Sequence, residues 1–580
     1  MRNSRSSKHP SSIALLLGAL LLLPAAPAAA QGNAAPTLDA ALARIGAYAQ
    51  AALAEQGAPG MALAITDKTH TLKIFTLGYA NVASQAPVTE ATRFGIGSLT
   101  KSMTATALME LRDAGRFDPH APVTHYLPWF RIHTAYRPIT PHDLLTHTSG
   151  MPDGGLSTGI ASVYSMRDWY TGYAPGTHWS YSNVGYDTLG EILQSLDAAD
   201  YPAIVQRRIF APLGMTDTTA IWSPQTLETA ATGYLYRADD RPAPQQPALM
   251  VAPTTHYIDP AGSVLSTGGD MAKYMRYFLN DGQGPQGRII SDASWKLMTT
   301  PGVTDGHELG DAAPGFYHRY GYGLAIQTVA GDTVVGHTGG VLDFTACMQM
   351  DLTRGYGAIA MTNLAYVGPR PCPIVSYALK VLRAQSEGKP LPDMPQPPDP
   401  LKVTKPADYA GTYRAADGSA LVVAVNGDDL TLQYGEKSAA LYPRGTNSFW
   451  VDSPDFAHYL LQFGRQNGRV VEAFYGPKWY VSNAYTGAKT FAYPSAWNAY
   501  TGDYESIDAN GYYGSLHVFV RKGKLVSDDG TQLVPLAAGL FRIGTDPWTP
   551  ERIRFDEIVN AHAQRARLPG NDLYRTPLSS

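Results

Sequence analysis

Apolar and polar positions alternate in two different ways along this chain. Over Ala40 to Glu55 the apolar residues recur at helical intervals in an alanine-rich stretch, which predicts a first amphipathic helix. Met61 to Thr66 and Leu72 to Leu77 follow as short apolar runs and predict a pair of strands. Gly-Tyr-Gly-Leu-Ala-Ile at 321–326, Thr333 to Gly336, Ala346 to Met350 and Ala358 to Met361 are again strand-like, and Pro373 to Arg383 predicts a closing helix. Strands at both ends with helices between them imply an α+β domain over residues 31–385, its sheet assembled from distant pieces.

The pattern changes after residue 385. Residues 386–406 hold seven prolines and little that can be packed, and read as a semi-rigid linker. Beyond them come short alternating strands rich in Tyr, Val and Gly. This region repeats: Tyr409-x-Gly411-x-Tyr413 recurs as Tyr500-x-Gly502-x-Tyr504, 91 residues on, and Leu421 to Leu430 matches Leu516 to Leu525 after a small insertion. Two antiparallel β-barrel-like modules, 407–492 and 493–580, are therefore expected. Turn geometry and core filling explain the shared Tyr and Gly residues first. The alternative is a ligand-lined cavity or a loop that reaches the active site.

Composition and targeting narrow the setting. Arg2, Arg5 and Lys8, the apolar run Ile13 to Leu23 and the small residues Ala28-Ala29-Ala30 before Gln31 have the layout of a secretory signal peptide over residues 1–30. That run is too short to span a bilayer comfortably, and no later stretch approaches the roughly 20 apolar residues of a membrane helix. A periplasmic or secreted protein without stable membrane insertion is the expectation. Charged residues make up only 16% of the chain and the net charge is −4, so there is no basic footprint for nucleic acid or anionic membrane. Cys347 and Cys372 fit a disulfide in an oxidising compartment or two buried thiols equally well. No Cys/His cluster has metal-ligand spacing, and no cofactor is expected.

Attack on an amide or ester needs an activated hydroxyl, a proton shuttle and donors for the developing oxyanion. Ser98-Leu99-Thr100-Lys101 supplies the first two if a helix starts near Ser98, since positions three apart share a face. Met103, Ala107, Leu108 and Leu111 recur at helical spacing just after it and support that placement. The spacing alone is weak, because Ser386 and Lys389 share it inside the proline-rich segment. Tyr181-Ser182-Asn183 follows, with a phenol that becomes a useful base only beside a cation such as Lys101, and an amide able to hold Lys101 and the substrate. Standing alone, Tyr181 reads as a partly buried core residue. The third element is His337-Thr338-Gly339-Gly340, where glycines on an edge strand admit a substrate backbone and the N–H of Gly340 can pair with that of Ser98 as an oxyanion hole. His337 by itself is open between a substrate contact and an ordinary surface histidine.

In this order the three elements resemble the serine β-lactamase and penicillin-binding family. Leu144 to Met151, Pro175 to Asn183, Ile209 to Met215, Ala261-Gly262-Ser263 and Ser266 to Met271 resemble its branch of class C β-lactamases, D-aminopeptidases and related esterases, over roughly residues 37–385. The resemblance implies a β-lactamase/transpeptidase-like domain, a mostly antiparallel sheet with flanking helices and a helical subdomain. It implies Ser98 as nucleophile, Lys101 and Tyr181 sharing acid–base work, Asn183, His337, Thr338 and Gly339 binding substrate, and Ser98 with Gly340 as the oxyanion hole. His147, in a loop motif, takes a structural role.

His337 stands where class C β-lactamases carry Lys, and a mostly neutral imidazole holds a penicillin-like carboxylate less firmly. The similarity therefore ranks a peptidase or amidase for D-amino-acid-containing substrates first, of D-aminopeptidase or DD-carboxypeptidase type. Carboxylesterase and β-lactamase follow. A non-hydrolysing penicillin-binding sensor is the alternative from another class, and a vestigial front domain serving binding modules is a third. A small peptide, amide or ester is the expected partner, with homo-oligomerisation open.

Overall fold

Burial on both faces explains why the first strand reads as a continuous apolar run, since every residue from Gly60 to Thr66 is buried. The computed structural model describes residues 35–154, 159–236, 249–251, 258–303, 317, 319–341, 343–365, 371–396, 402–507 and 513–576. The segment 1–30 read as a signal peptide and residues 397–401 of the proline-rich segment lie outside these.

The central sheet has seven strands: β1 (Gly60–Thr66), β2 (Thr71–Asn81), β3 (Ala86–Pro87), β4 (Ala325–Val329), β5 (Asp332–Val341), β6 (Phe344–Asp351) and β7 (Tyr356–Thr362). Their order is β4-β5-β6-β7-β1-β2-β3, antiparallel throughout, so the two ends of the domain meet where β1 pairs with β7. The helices that position the site or cover the sheet are α1 (Leu38–Gln56), α2 (Thr100–Asp113), α3 (Asn183–Asp197), α4 (Gly268–Leu279) and α5 (Cys372–Ser386). Side-chain alternation splits the core into two layers. Met61, Leu63 and Ile65 of β1 join α1 and α5, whereas Ala62 and Ala64 join Met103, Val184 and Met271 from α2, α3 and α4. The sheet is thus sandwiched between a two-helix layer and a helical subdomain, an α+β architecture.

Two expectations change. Residues 321–324 form a bend and the strand begins at Ala325, because the backbone of Gly323 lies against Lys101 and Ser102 at the start of α2. In the other direction, β5 does not stop at Gly336 but continues through His337 to Val341. Cys347 on β6 and Cys372 at the start of α5 are disulfide-bonded, with Cα atoms 5.1 Å apart, which resolves the question of free thiols. The proline-rich segment is anchored in its first half, where Arg44 and Tyr377 both donate to Pro392 O.

Eight strands from Gly411 to Val481 close into a barrel, and eight more from Gly502 to Arg575 form a second, nearly closed one. The repeated motif is a shared corner. Tyr413 donates to Tyr409 O (2.8 Å) and Tyr504 to Tyr500 O (2.9 Å), while Gly411 and Gly502 take φ of 144° and 143°, which favours glycine. Both inner tyrosines are buried, so turn geometry and core filling account for the repeat. Among the described residues no helix is long and apolar enough to cross a membrane.

Candidate active site

Ser98 sits in a single 3₁₀ turn, Gly97–Leu99, that runs directly into α2. Gly97 has φ +53° and packs against β5 so closely that a methyl group there would come within 2.4 Å of Gly340 N. Only glycine on both sides permits this, since a methyl at Gly339 would in turn strike Ile96 O. The ladder between β4 and β5 ends at Gly336, so His337–Val341 lies beyond it and faces the Ser98 turn. This is the local edge that the two glycines suggest, and it brings the backbone of Gly340 beside the turn that carries Ser98.

Lys101, one turn on, is fully buried. Its Nζ donates to Ser98 Oγ (3.1 Å), Asn183 Oδ1 (2.6 Å) and Ala261 O (2.9 Å), one acceptor for each proton of an ammonium. Burial pushes Lys101 down to about 8, against the opposing charges of Asp259, Asp153 and Asp187. The same Nζ lies over the Tyr181 ring, 4.8 Å from its centroid. Ser182 caps α3 by accepting from Gly185 N (3.1 Å), which fixes Tyr181 just before the helix and Asn183 as its first residue. Ser98, Tyr181, Asn183 and Gly340 are partly exposed, while Lys101 is wholly behind them.

His147 holds this arrangement from below. Its Nδ1 accepts from Ser182 N (3.1 Å), its carbonyl accepts from Ser180 N (2.9 Å), and its ring lies 4.3 Å from that of Tyr181. Burial, with Lys101 and His337 nearby, keeps its imidazole well below the ordinary value and hence neutral. His337 is no surface histidine: it is only 1% exposed, with Nε2 against Tyr320 Oη (2.9 Å) and the Tyr317 ring edge-on. Thr338 N donates to Tyr317 Oη (3.2 Å), and the Thr338 and Tyr317 hydroxyls are paired at 2.8 Å. The structure therefore brings Ser98, Lys101, Tyr181, Asn183 and Gly340 to one cleft and sets His337 and Thr338 in an aromatic nest behind it. Among the described residues no group of acidic, His or Cys side chains is placed to hold a metal ion.

Sequence reasoning passed over several residues here. Asp153 Oδ1 accepts from both Asn183 N (2.8 Å) and Asn183 Nδ2 (3.0 Å). It stands two residues after the Leu144–Met151 stretch, so the signal was adjacent. Tyr317 and Tyr320 gave none. The second barrel also reaches the site: a cavity of about 460 Å³ is walled by Asp153, Trp179 and Tyr181 on one side and Trp548, Glu551 and Asn571 on the other.

A serine at a helix start, a buried lysine of lowered basicity in contact with it and a tyrosine beneath that lysine have the makings of an acyl-transferring serine hydrolase. Comparison with known proteins supports that class. The Beta-lactamase family profile matches residues 45–379, more than half of the chain, and the chain belongs to that family. It is 28% identical over 379 residues to "Penicillin-binding protein 4" of Amycolatopsis lactamdurans, covering 63% of this chain and 95% of that protein. It is 30% identical over 247 residues to the "D-alanyl-D-alanine-carboxypeptidase/endopeptidase AmpH" of Escherichia coli K12, covering 40% of this chain and 60% of that one. In fold it is similar to the octameric penicillin-binding protein homologue from Pyrococcus abyssi, with a TM-score of 0.54 at 24% identity over 76% of this chain and all of that one. The protein is a serine hydrolase of the β-lactamase and penicillin-binding type.

Proposed function

We propose that this is an exported peptidase or amidase for D-amino-acid-containing substrates, working through an acyl-enzyme on Ser98. The observation that carries the reading is the set of three acceptors around Lys101. When the ammonium loses one proton, Asn183 Oδ1 and Ala261 O take the two N–H groups that remain. The lone pair then faces the Ser98 hydroxyl and can accept its proton as Oγ attacks the carbonyl carbon. With Lys101 held near 8, a useful fraction is neutral at ordinary pH. Tyr181, beneath the same Nζ, carries the proton on to the leaving amine. The N–H groups of Ser98 and Gly340 receive the oxyanion.

The substrate ranking rests on two supports. A relative of this chain bears the name of a D-alanyl-D-alanine carboxypeptidase. The buried His337, engaged with Tyr320, offers little to a substrate carboxylate, which favours aminoacyl amides, with no carboxylate on the leaving side, over penicillins. A carboxylesterase ranks second on the same ground. The Cys347–Cys372 disulfide suits an exported protein.

Hydrolysis of a panel of D- and L-aminoacyl amides, a chromogenic ester and nitrocefin tests the reading, with fluorescent penicillin as a label for Ser98. Turnover of D-aminoacyl amides that vanishes in Ser98→Ala, with kcat/KM rising as pH passes about 8, is the expected result. Stable labelling without turnover identifies a binder instead, and turnover that survives Ser98→Ala removes the mechanism.

A further inference from the structure

The loop Gly544–Glu551 joins strands Leu540–Ile543 and Arg552–Val559 of the second barrel and leaves its own module. Trp548 stacks on His178 with ring centroids 5.0 Å apart and planes 8° from parallel. The backbone of Gly172 lies so close that a methyl there would come within 2.3 Å of Trp548 O. Nearby, Arg567 of the same barrel pairs with Asp168 at 3.5 Å. The second barrel is therefore held to the helical subdomain through the loop and through Arg567, and the loop brings Glu551 to the floor of the cleft.

There Glu551 Oε1 accepts from the backbone N–H of Asp153 (2.8 Å). Asp153 Oδ1 accepts from Asn183, Asn183 Oδ1 accepts from Lys101, and Lys101 donates to Ser98. A continuous series of hydrogen bonds leads from the C-terminal barrel to the reacting hydroxyl. Among the described residues the Asp153 carbonyl accepts from Val184 N (3.0 Å). Without an acceptor for its N–H the Asp153 backbone can rotate, and its carboxylate loses its aim on Asn183.

We propose that Glu551 is a positioning residue of the active site, supplied by the second barrel of the same chain, which fixes Asp153 so that Asn183 holds Lys101 against Ser98. The proposal rests on Ser98 and Lys101 being the reacting pair. The charge on Glu551 matters as well as its shape, because an ionised carboxylate is the stronger acceptor. Burial pushes Glu551 up to about 7, with the Asp153 charge adding to the rise and Arg552 opposing it. Those two are the charged groups facing it, with Lys101 beyond Asp153, and the remaining neighbours across the cavity, Trp179, Tyr181, Trp548 and Asn571, are neutral. Ionisation of Glu551 and deprotonation of Lys101 both favour the active arrangement, so activity rises with pH in two steps.

Full-length wild type, Glu551→Gln, Glu551→Ala and Ser98→Ala are compared in hydrolysis of p-nitrophenyl butyrate from about pH 5.5 to 9.5, a range that brackets both groups. The expected result is a roughly 10- to 100-fold lower kcat in Glu551→Ala with a much smaller change in KM, the scale of a misplaced catalytic group. Glu551→Gln, which keeps the acceptor oxygen, recovers most of that loss, and its profile lacks the step near 7 while retaining the one near 8. A Glu551→Ala enzyme with wild-type kcat and profile overturns the proposal. So does an equal loss in both variants with the lower step still present, which marks a purely packing role. If Glu551→Ala does not fold, the profile of the isosteric Glu551→Gln decides alone. Activity surviving in Ser98→Ala would remove the underlying mechanism and leave a different signature from any Glu551 outcome.

Discussion

The two C-terminal barrels use one loop in opposite ways. In each, the segment after the fifth strand leads to the sixth: Asp452–Leu460 in the first barrel, Gly544–Glu551 in the second. In the first, Phe456 turns back into its own module, buried at 6% exposure, with its ring 4.9 Å from Tyr434 and 4.6 Å from Tyr475. In the second, Trp548 turns outward onto His178. The tip of the first loop also reaches its neighbour. Tyr459 donates to Asp503 Oδ1 (3.3 Å), and its ring lies 5.2 Å from both His517 and Phe519 of the second barrel. Each module thus grips the next, first barrel to second and second barrel to catalytic domain. The conserved part of the repeat builds the cores, and the loop that differs between the copies makes the connections.

The contrast can be broken most sharply at Phe456. Phe456→Ala removes a buried ring and should cost about 3–5 kcal/mol of stability in denaturant titrations. Activity per folded molecule should stay within about twofold of wild type, since the ring touches nothing in the cleft. Trp548→Ala should invert that result: about a tenfold loss in kcat/KM, with a stability change of only about 0.5–1.5 kcal/mol from the lost stacking. Equal effects on stability and activity in both variants would erase the distinction between inward and outward loops. Tyr459→Phe removes one interfacial hydrogen bond, worth about 0.5–1.5 kcal/mol in stability, and should leave kcat/KM untouched.

The smallest effect is a pH dependence of the same interface. Burial alone would lower His517, but the hydrogen bond to Asp503 and the charges of Asp528, Asp503 and Glu505 outweigh it and raise the imidazole above its ordinary value. A raised histidine stabilises fully below its unfolded value near 6.5, and that contribution fades as pH rises through the folded value. Thermal unfolding should therefore show a slight loss of stability on the alkaline side of 6.5, absent in His517→Asn.

What could be read from sequence followed the range of the interactions. Ser98 and Lys101 are joined by one helical turn, and Tyr181 and Asn183 flank a serine cap, but Ser386 and Lys389 share the first spacing, so it is the order of the motifs and the helix after Ser98 that single these residues out. The apolar run that marks β5 fades at Gly336, and only the edge-strand role of Gly339 and Gly340 hints that the strand goes on to Val341. In the structure they are what lets the strand and the Ser98 turn touch. The strand expected over 321–326 starts only at Ala325, since Gly323 lies against the backbone of α2 and takes no part in a ladder. The burial of His337 depends on Tyr317 and Tyr320, whose spacing carries no pattern of its own. Asp153 and Glu551 are beyond any local argument, being 398 residues apart.

That separation also has a meaning in time. Ser98, Lys101, Tyr181 and Asn183 come early in the polypeptide, in a domain that can settle before the barrels that follow it. The carboxylate that meets Asp153 arrives only with residue 551. A product of premature termination would display the nucleophile and its lysine yet lack that acceptor, so finishing translation and finishing the cleft become one event. The enzyme would carry its own check against acting half-made.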